Sequence, residues 1–578
     1  MSKDTLTRIS KYISKYKCYV YSSFIAAILS VVSSLIGPML IGKSIDYMTG
    51  IGAVDFGALF RILIILAIVY AIGNLFVWLL TYLANRVSYQ IVNDMRHQLI
   101  DKINTLPLKF YDNNAHGDTI SCFINDMDAI SDGMLQVISI LLTGIVTIIG
   151  SVAFMLYISP IMTVVVLISA PASFLMARFI TKRSQQMFKT QAKSLGKLNG
   201  YIEEIIDGQK VVKAFNYEER SYKEFEKINN ILYSSGVKSQ FYGSLSGPTT
   251  RLVNNITYIA IGVIGSILAI SGKLSVGDIS SFLIYSSLFA KPFNEITGVF
   301  TQIQSAAASA QRIFYILDLQ SEKPDDKESI SIKNSQGEID FKNVNFSYTT
   351  DHPLITDFNL NVAPGTRIAI VGQTGSGKTT LVNLLMRFYD VDSGSISVDG
   401  IDIRDIARDD LRCSFGMVLQ DTWLFSGSIR DNIAYSKPDA TDEEIIAAAK
   451  SADAHGFIKC LPKGYSTLIS DAGENLSQGQ KQLLTIARVM LVDPPMLILD
   501  EATSNIDTRT EIHIQKAFLK MIEGRTSFVI AHRLSTIREA DLILVLDNGN
   551  IVESGTHTQL LNNGSYYKKL YNSQFAPV

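Results

Sequence analysis

The chain has 578 residues, too many for one domain, and a net charge of −2, which leaves no electrostatic footprint for nucleic acid. Charged residues make up only 18% and mean hydropathy is +0.21, values that argue against an ordinary soluble protein. The four cysteines, Cys18, Cys122, Cys413 and Cys460, show no C-x-x-C spacing and read as ordinary buried thiols, not as a disulfide framework or zinc site. The averages hide a split: residues 1–310 hold long apolar runs, whereas residues 320–578 read as a water-soluble α/β domain.

A bilayer-spanning helix needs about 20 mostly apolar residues. Six stretches qualify, at roughly 19–43, 60–85, 135–158, 160–181, 249–271 and 277–303. The first follows Lys11, Lys15 and Lys17 as a signal peptide would, but its apolar run is too long for an h-region, so it reads as a retained helix. Orientation follows from Lys and Arg bias. The N-terminal tail carries Lys3, Arg8, Lys11, Lys15 and Lys17. Segments after the second and fourth stretches carry Arg86, Arg96 and Lys102, then Lys182, Arg183 and Lys189. Connections after the first, third and fifth are short and nearly free of cations. Both termini are therefore expected in the cytosol.

Long polar segments with helical patterning join stretches two–three and four–five, and predict helices continuing well below the membrane. Pro107 to Asp118 and Gly208 to Phe215 interrupt that patterning and predict turns. Polar residues in the last two spans are candidates for a substrate path: Arg251, Asn254, Asn255, Tyr258, Lys291, Asn294 and Glu295. Lys291 and Glu295 are four apart and can equally well pair with each other.

Between Ala306 and Gln336 the pattern turns polar, with Lys323-Pro324-Asp325-Asp326-Lys327 at the boundary. We expect a membrane domain over 1–315, a linker over 316–336 and a soluble domain over 337–578. Glu338 to Phe346 and Thr366 to Val371 alternate and predict strands. The second feeds Gly372-Gln373-Thr374-Gly375-Ser376-Gly377-Lys378-Thr379, a complete G-x-x-x-x-G-K-[ST] phosphate loop, with a helix predicted from Lys378. Its glycines let backbone N–H groups close around a triphosphate. Lys378 reaches the β- and γ-phosphates, and the Thr379 hydroxyl can ligate Mg²⁺.

Leu476-Ser477-Gln478-Gly479-Gln480 precedes a helical pattern over Lys481 to Arg488, which puts Ser477 and Gly479 at a helix N-terminus able to attract a phosphate. Met496 to Leu499 is a buried-strand run ending in Asp500-Glu501. Asp500 can hold Mg²⁺, and Glu501 can orient or deprotonate an attacking water.

These pieces, in this order and with His532 beyond them, resemble the nucleotide-binding domain of the ATP-binding cassette (ABC) transporters. Kinases, GTPases and helicases share the phosphate loop but not the Ser-Gln-Gly-Gln signature. With six spans ahead of one such domain, nearly the whole chain resembles a half-size ABC exporter. The resemblance implies that Tyr348 stacks on adenine and that Gln420, after Phe415-Gly416-Met417-Val418-Leu419, reaches Mg²⁺ and the attacking water. It implies that His532 contacts the γ-phosphate, and that Thr380 and the D-loop residue Asp507 complete the nucleotide contacts. His455 and His513 have no motif around them and read as surface residues.

Each nucleotide site in this family is completed when two such domains close head to tail. Ser477, Gln478, Gly479 and Gln480 would then serve ATP bound on a partner, so a dimer is implied. The interruptions at Pro107–Asp118 and Gly208–Phe215 match the places of the family's coupling helices. Thr467, Ile469, Asp471 and Gly473 match the exporters' T-x-V-x-E-x-G loop, with Asp for Glu.

The implied activity is ATP-driven export of a small molecule, lipid or peptide across a bacterial cytoplasmic membrane by alternating access. An ATP-gated channel or membrane regulator without pumping is the alternative. Two departures bear on the partner: Gln478 replaces the first glycine of L-S-G-G-Q, and Asn505-Ile506 replaces the D-loop Ala-Leu. With Glu501 intact, this resembles the half of heterodimeric bacterial exporters that supplies the catalytic glutamate. The alternative is a tolerated change in a homodimer.

Overall fold

The structure is a computed structural model. It describes residues 3–48, 54–322, 325, 330–332, 335–349, 351–420, 422–469, 475–500, 508–531, 534–563 and 566–575. Two compact units are formed, one from residues 1–105 and 114–320, the other from residues 106–113 and 321–578.

The first unit is helical. An amphipathic helix, α1 (Lys3–Lys15), precedes α2 (Lys17–Asp46) and α3 (Phe56–Asn104). The Asp55 side chain caps α3 by accepting from the Ala58 N–H at 2.9 Å. The 49 residues of α3 rise about 74 Å at 1.5 Å each, more than twice the roughly 30 Å of bilayer hydrocarbon. The apolar run at 60–85 is thus one part of a helix that continues well past any membrane, as its patterning predicts.

Among the described residues four helical stretches are long and apolar enough to cross a membrane: Lys17–Asp46, Phe56–Asn104, His116–Ile158 and Arg251–Ile270. Pro160–Ser169 is a shorter apolar helix at the start of the fourth expected span. Exposed Ile64, Ile65, Ile68, Ile72 and Leu75 cover one part of α3, the reverse of a water-soluble surface and suited to lipid.

After α4 (Leu108–Asn113), which belongs to the second unit, the chain runs through α5 (His116–Ser121), α6 (Met127–Gln136) and α7 (Leu142–Ile158). Single π-helical turns at Cys122–Asp126 and Val137–Leu141 join these three. Then follow α8 (Pro160–Asp207), α9 (Gln209–Ala214), α10 (Glu218–Ser244), α11 (Ser246–Ile270) and α12 (Val276–Asp318). Val31, Leu35, Met155, Met162, Ile261, Phe282 and Tyr285 form a core joining α2, α7, α8, α11 and α12. Lys291 and Glu295 approach to 3.9 Å, so they do pair. The cysteines depart from expectation: all are free thiols, but only Cys122 is buried, while Cys18, Cys413 and Cys460 are exposed.

The second unit carries two main sheets. The first is antiparallel, β2-β1-β4-β5, built from β1 (Ile339–Phe346), β2 (Ile355–Val362), β4 (Ser393–Val398) and β5 (Ile401–Asp402). The second has the order β12-β11-β3-β10-β9-β6. In it β3 (Arg367–Gly372), β6 (Phe415–Val418), β9 (Met496–Asp500), β10 (Thr526–Ile530) and β11 (Leu542–Asp547) run parallel, with β12 (Asn550–Gly555) antiparallel at the edge. A small pair, β7 (Gly427–Ser428) with β8 (Leu468–Ile469), lies apart from both.

Between the two sheets, Phe341, Phe358, Ile370, Leu381, Leu384, Phe415, Ile498 and Phe528 make one buried layer. Each such side chain contributes about 1.5–3 kcal/mol on burial. Helices α13 (Lys378–Leu385), α14 (Arg408–Cys413), α15 (Ile429–Ile433), α16 (Asp442–Ser451), α17 (His455–Cys460), α18 (Gln478–Val492), α19 (Thr508–Ile522), α20 (Leu534–Arg538), α21 (His557–Asn563) and α22 (Tyr566–Phe575) complete the unit. A second cluster, including Ile429, Ile445, Leu484 and Phe518, packs α15, α16, α18 and α19 together.

Candidate nucleotide site

Strand register decides which residues meet. Ile370 of β3 lies opposite Ile530 of β10, Ile530 lies opposite Asp500 of β9, and Leu499 lies opposite Val418 of β6. Because these strands are parallel, the segments leaving their carboxyl ends emerge at one edge of the sheet, where open α/β sheets bind ligands. The phosphate loop, Asp500 and Gln420 all arise there.

The loop links Gly372, the last residue of β3, to Lys378, the first of α13. Gly375 and Gly377 hold φ of +85° and +97°, conformations that only glycine adopts without strain. Gly377 is the N-cap of α13 and offers no side-chain cap, so the helix presents its first N–H groups to a ligand. The Ser376 hydroxyl is buried beside them, and no partner for it is found among the described residues. An oxygen-rich anion would satisfy both.

Lys378 Nζ donates to the carbonyls of Gly372 and Gln373, each at 2.8 Å. Burial pulls its pKa below the ordinary lysine value, and the Asp500 carboxylate opposes that shift. A cavity of about 550 Å³ is lined by Thr374, Gly375, Gly377, Lys378, Thr379, Thr380, Gln420 and Asp500, with Leu354 and Ile530 completing the wall. Thr379, Gln420 and Asp500 offer a hydroxyl, an amide and a carboxylate oxygen to the same space, a donor set that fits Mg²⁺.

Tyr348 sits next to this cavity. Its hydroxyl donates to Thr380 Oγ1 and accepts from Asn383 Nδ2, both at 3.2 Å. Phe346 and Tyr389 meet its ring edge-on, at 4.9 and 5.0 Å between centroids.

The signature segment forms the N-terminus of α18 as expected. Ser477 is the N-cap: its hydroxyl accepts from the Gln480 N–H at 3.3 Å, and Gln480 Oε1 accepts from the Ser477 N–H at 3.0 Å. Gln478 turns aside and donates to Thr422 Oγ1 at 3.4 Å. Glu501, Asp507 and His532 lie outside the described residues, as do Asn505, Ile506, Asp471 and Gly473.

The family follows from comparison with known proteins. Residues 20–293 match the ABC transporter transmembrane region and residues 355–504 the ABC transporter family. The chain is 41% identical to the Bacillus subtilis ABC transporter ATP-binding protein YfiC, over 99% of its own length and 95% of the relative's. This chain belongs to the ABC transporters. It is also 42% identical to a fatty acid ABC transporter ATP-binding/permease protein of Mycobacterium bovis, over 89% of this chain and 82% of the relative. A bacterial Atm1-family ABC exporter with ATP bound superposes with a TM-score of 0.76 at 28% identity, covering 97% of this chain and 99% of that one. The protein is an ATP-driven ABC exporter, with a transmembrane domain followed by a nucleotide-binding domain that couples ATP hydrolysis to transport.

Within the nucleotide-binding unit of this transporter, α4 forms at the first interruption read from the sequence. The Tyr389 hydroxyl donates to the Asp112 carboxylate at its end. Burial and that carboxylate push the Tyr389 phenol well above its usual range. Tyr389, Asn383 and Thr422 escaped the sequence reading. The first two had a usable signal: both closely follow the phosphate loop, where α13 must end and return to the sheet. Nothing in the sequence marks Thr422.

Proposed function

We propose that this exporter moves an amphipathic small molecule out of the cytosol by alternating access, with a fatty acid as the first cargo to test. The observation that carries this reading is the single cavity in which the phosphate loop, Thr379, Gln420 and Asp500 meet, in a chain whose other half is apolar helix. The cargo class rests on the 42% identity to the mycobacterial fatty acid transporter. We read six spans, with both termini on the cytosolic side of a bacterial cytoplasmic membrane.

Tyr348 would stack on adenine, and residues 372–380 would hold the phosphates. Lys378 would leave the carbonyls of Gly372 and Gln373 for the β- and γ-phosphates. Thr379, Gln420 and Asp500 would hold Mg²⁺, which neutralises charge on those phosphates when bound. Glu501 would orient or deprotonate the water, and His532 would contact the γ-phosphate. Positioning and charge stabilisation supply most of the acceleration in such a reaction.

Ser477 to Gln480 would meet ATP held by a second half-transporter, with Asp507 at the same interface. We favour a partner of different sequence, on the substitutions at Gln478, Asn505 and Ile506. One observation favours a homodimer instead: Gln478 points at Thr422, and the Ser477–Gln480 cap keeps its form without the usual glycine.

ATP-dependent uptake of labelled fatty acid into inside-out vesicles tests the export reading. ATP hydrolysis that gates a conductance with no uptake would replace the pump by a channel. A stable dimer of this chain alone, with full cargo-stimulated hydrolysis, would rule out the heterodimer.

A further inference from the structure

The chain leaving α12 does not hang free before it enters the nucleotide-binding sheets. Asp325 is seated on Arg408: its Oδ2 accepts from the Arg408 backbone N–H and its Oδ1 from Arg408 Nη1, both at 2.8 Å. Arg387 Nη1 stands 3.8 Å from the same carboxylate. Glu322 Oε1 accepts from Arg412 Nη2 at 2.9 Å and lies 3.9 Å from Arg408 Nε. The side chains of Arg408 and Arg387 are only 8% and 9% exposed. Farther on, Ile330 pairs with Ile406: its N–H donates to the Asp405 carbonyl at 2.8 Å, and its carbonyl accepts from Ala407 N–H at 3.3 Å.

The arginines are placed where they matter for the nucleotide. Arg387 follows the C-terminus of α13, whose other end begins with Lys378. It holds a left-handed backbone at φ +50° that a non-glycine residue rarely adopts, and Nη1 donates to the carbonyls of Ile403 and Ile406 at 3.0 and 3.2 Å. Arg412 Nη2 in turn reaches the Arg387 carbonyl at 3.3 Å. The three guanidiniums therefore tie the back of the phosphate-loop helix to the linker carboxylates.

We propose that Glu322 and Asp325 are positioning residues that link α12 to the phosphate-loop helix through Arg387, Arg408 and Arg412. With both carboxylates clamped, only residues 319–321 separate the end of α12 from the first pinned side chain. Movement of α13 on binding ATP is then passed to α12 and not absorbed by slack in the linker. Asp325 faces the largely buried guanidinium of Arg408, so water competes less for that partner than in a fully exposed pair.

The proposal rests on the alternating-access reading, and the test separates the two. The full-length transporter in its functional dimer is placed in liposomes of phosphatidylethanolamine and phosphatidylglycerol. Spin labels go at the exposed residues Phe56 and Ile270, and their separation is measured before and after ATP with vanadate. The variants are Glu322→Gln with Asp325→Asn, and Asp325→Glu alone. Asparagine can still accept from the Arg408 N–H but loses the charge.

We expect the double variant to hydrolyse ATP in detergent within about twofold of the parent, while the fraction showing the label shift falls about fivefold; Asp325→Glu keeps both. A double variant with the parent's label shift overturns the clamp. Equal loss of hydrolysis and label shift in the double variant and in Asp325→Glu, with a lowered unfolding temperature, also overturns it in favour of a purely structural role. A parent without any label shift overturns alternating access itself, and the clamp with it.

Discussion

Two helix N-termini in the nucleotide domain are proposed to meet phosphate, and they are built in opposite ways. At α13 the cap is Gly377, which brings no side chain, and the Ser376 hydroxyl stays buried beside it. At α18 the cap is Ser477, tied reciprocally to Gln480. A side-chain cap of this kind adds about 0.5–2 kcal/mol to a helix. The α18 terminus is therefore stable before any phosphate arrives, whereas α13 leaves its first N–H groups for the ligand to satisfy. The contrast suits the two tasks proposed for them: α13 would bind nucleotide within one chain, and α18 would dock reversibly on a phosphate held by another.

The sharpest way to separate these tasks is to stop chemistry while leaving both termini intact. In Glu501→Gln the side chain keeps its shape and loses the charge proposed to act on water. Phosphate release should fall about 10²- to 10⁴-fold, with ATP still bound and the dimer closed. Steady-state hydrolysis together with equilibrium nucleotide binding measures both. Near-normal turnover would remove Glu501 from the reaction.

Damage to the α13 side should appear in binding by one chain. Lys378→Ala removes a partly buried cation from the phosphates, and a hydrogen bond to a charged group is worth about 1.5–3 kcal/mol, or roughly 10- to 150-fold in Kd. The loss should be equal for ATP and GTP, since the lysine meets no base. Tyr348→Ala should weaken binding by about 1–3 kcal/mol through lost base stacking. Its hydroxyl is engaged with Thr380 and Asn383, so Tyr348→Phe separates the ring from that network. Calorimetric titration of these variants decides the matter: unchanged affinity in Tyr348→Ala would reject stacking.

Some of this architecture could be read in advance because local chemistry dictates it. The phosphate loop needs glycines at the turns with positive φ, and Gly375 and Gly377 supply them. The signature segment announces its helix through Ser477 and Gln480, three residues apart in a capping pattern. Long apolar runs flanked by helical polar patterning foretold α3 as one continuous element. The π-helical turns at Cys122–Asp126 and Val137–Leu141 were not legible, because no proline forces a local shift in hydrogen-bond register there. Nor was the linker clamp: Asp325 and Arg408 are 83 positions apart, and neither carries a motif. Strand β2 is hidden in the sequence because its inward side chains, such as Ile355 and Phe358, recur irregularly and leave no clean alternation.

The smallest expected effect tests whether α18 depends on its cap or on the residue after it. Ser477→Ala removes the acceptor for the Gln480 N–H and should lower cooperative hydrolysis, at a cost of about 1 kcal/mol in the helix terminus. First-chain ATP affinity should not move, since α18 serves the partner's nucleotide in our reading. Gln478→Gly restores the usual family residue and removes only the exposed 3.4 Å contact to Thr422. A hydrogen bond that long and that wet is worth well under about 1 kcal/mol, so turnover of the reconstituted dimer should change by no more than about twofold. The cap itself survives, because Ser477 and Gln480 are untouched. A tenfold rise in turnover in Gln478→Gly would mean that Gln478 restrains the partner's site directly. The glutamine would then be a regulatory substitution, and the side chain at Gln478, not the cap, would limit what α18 can do.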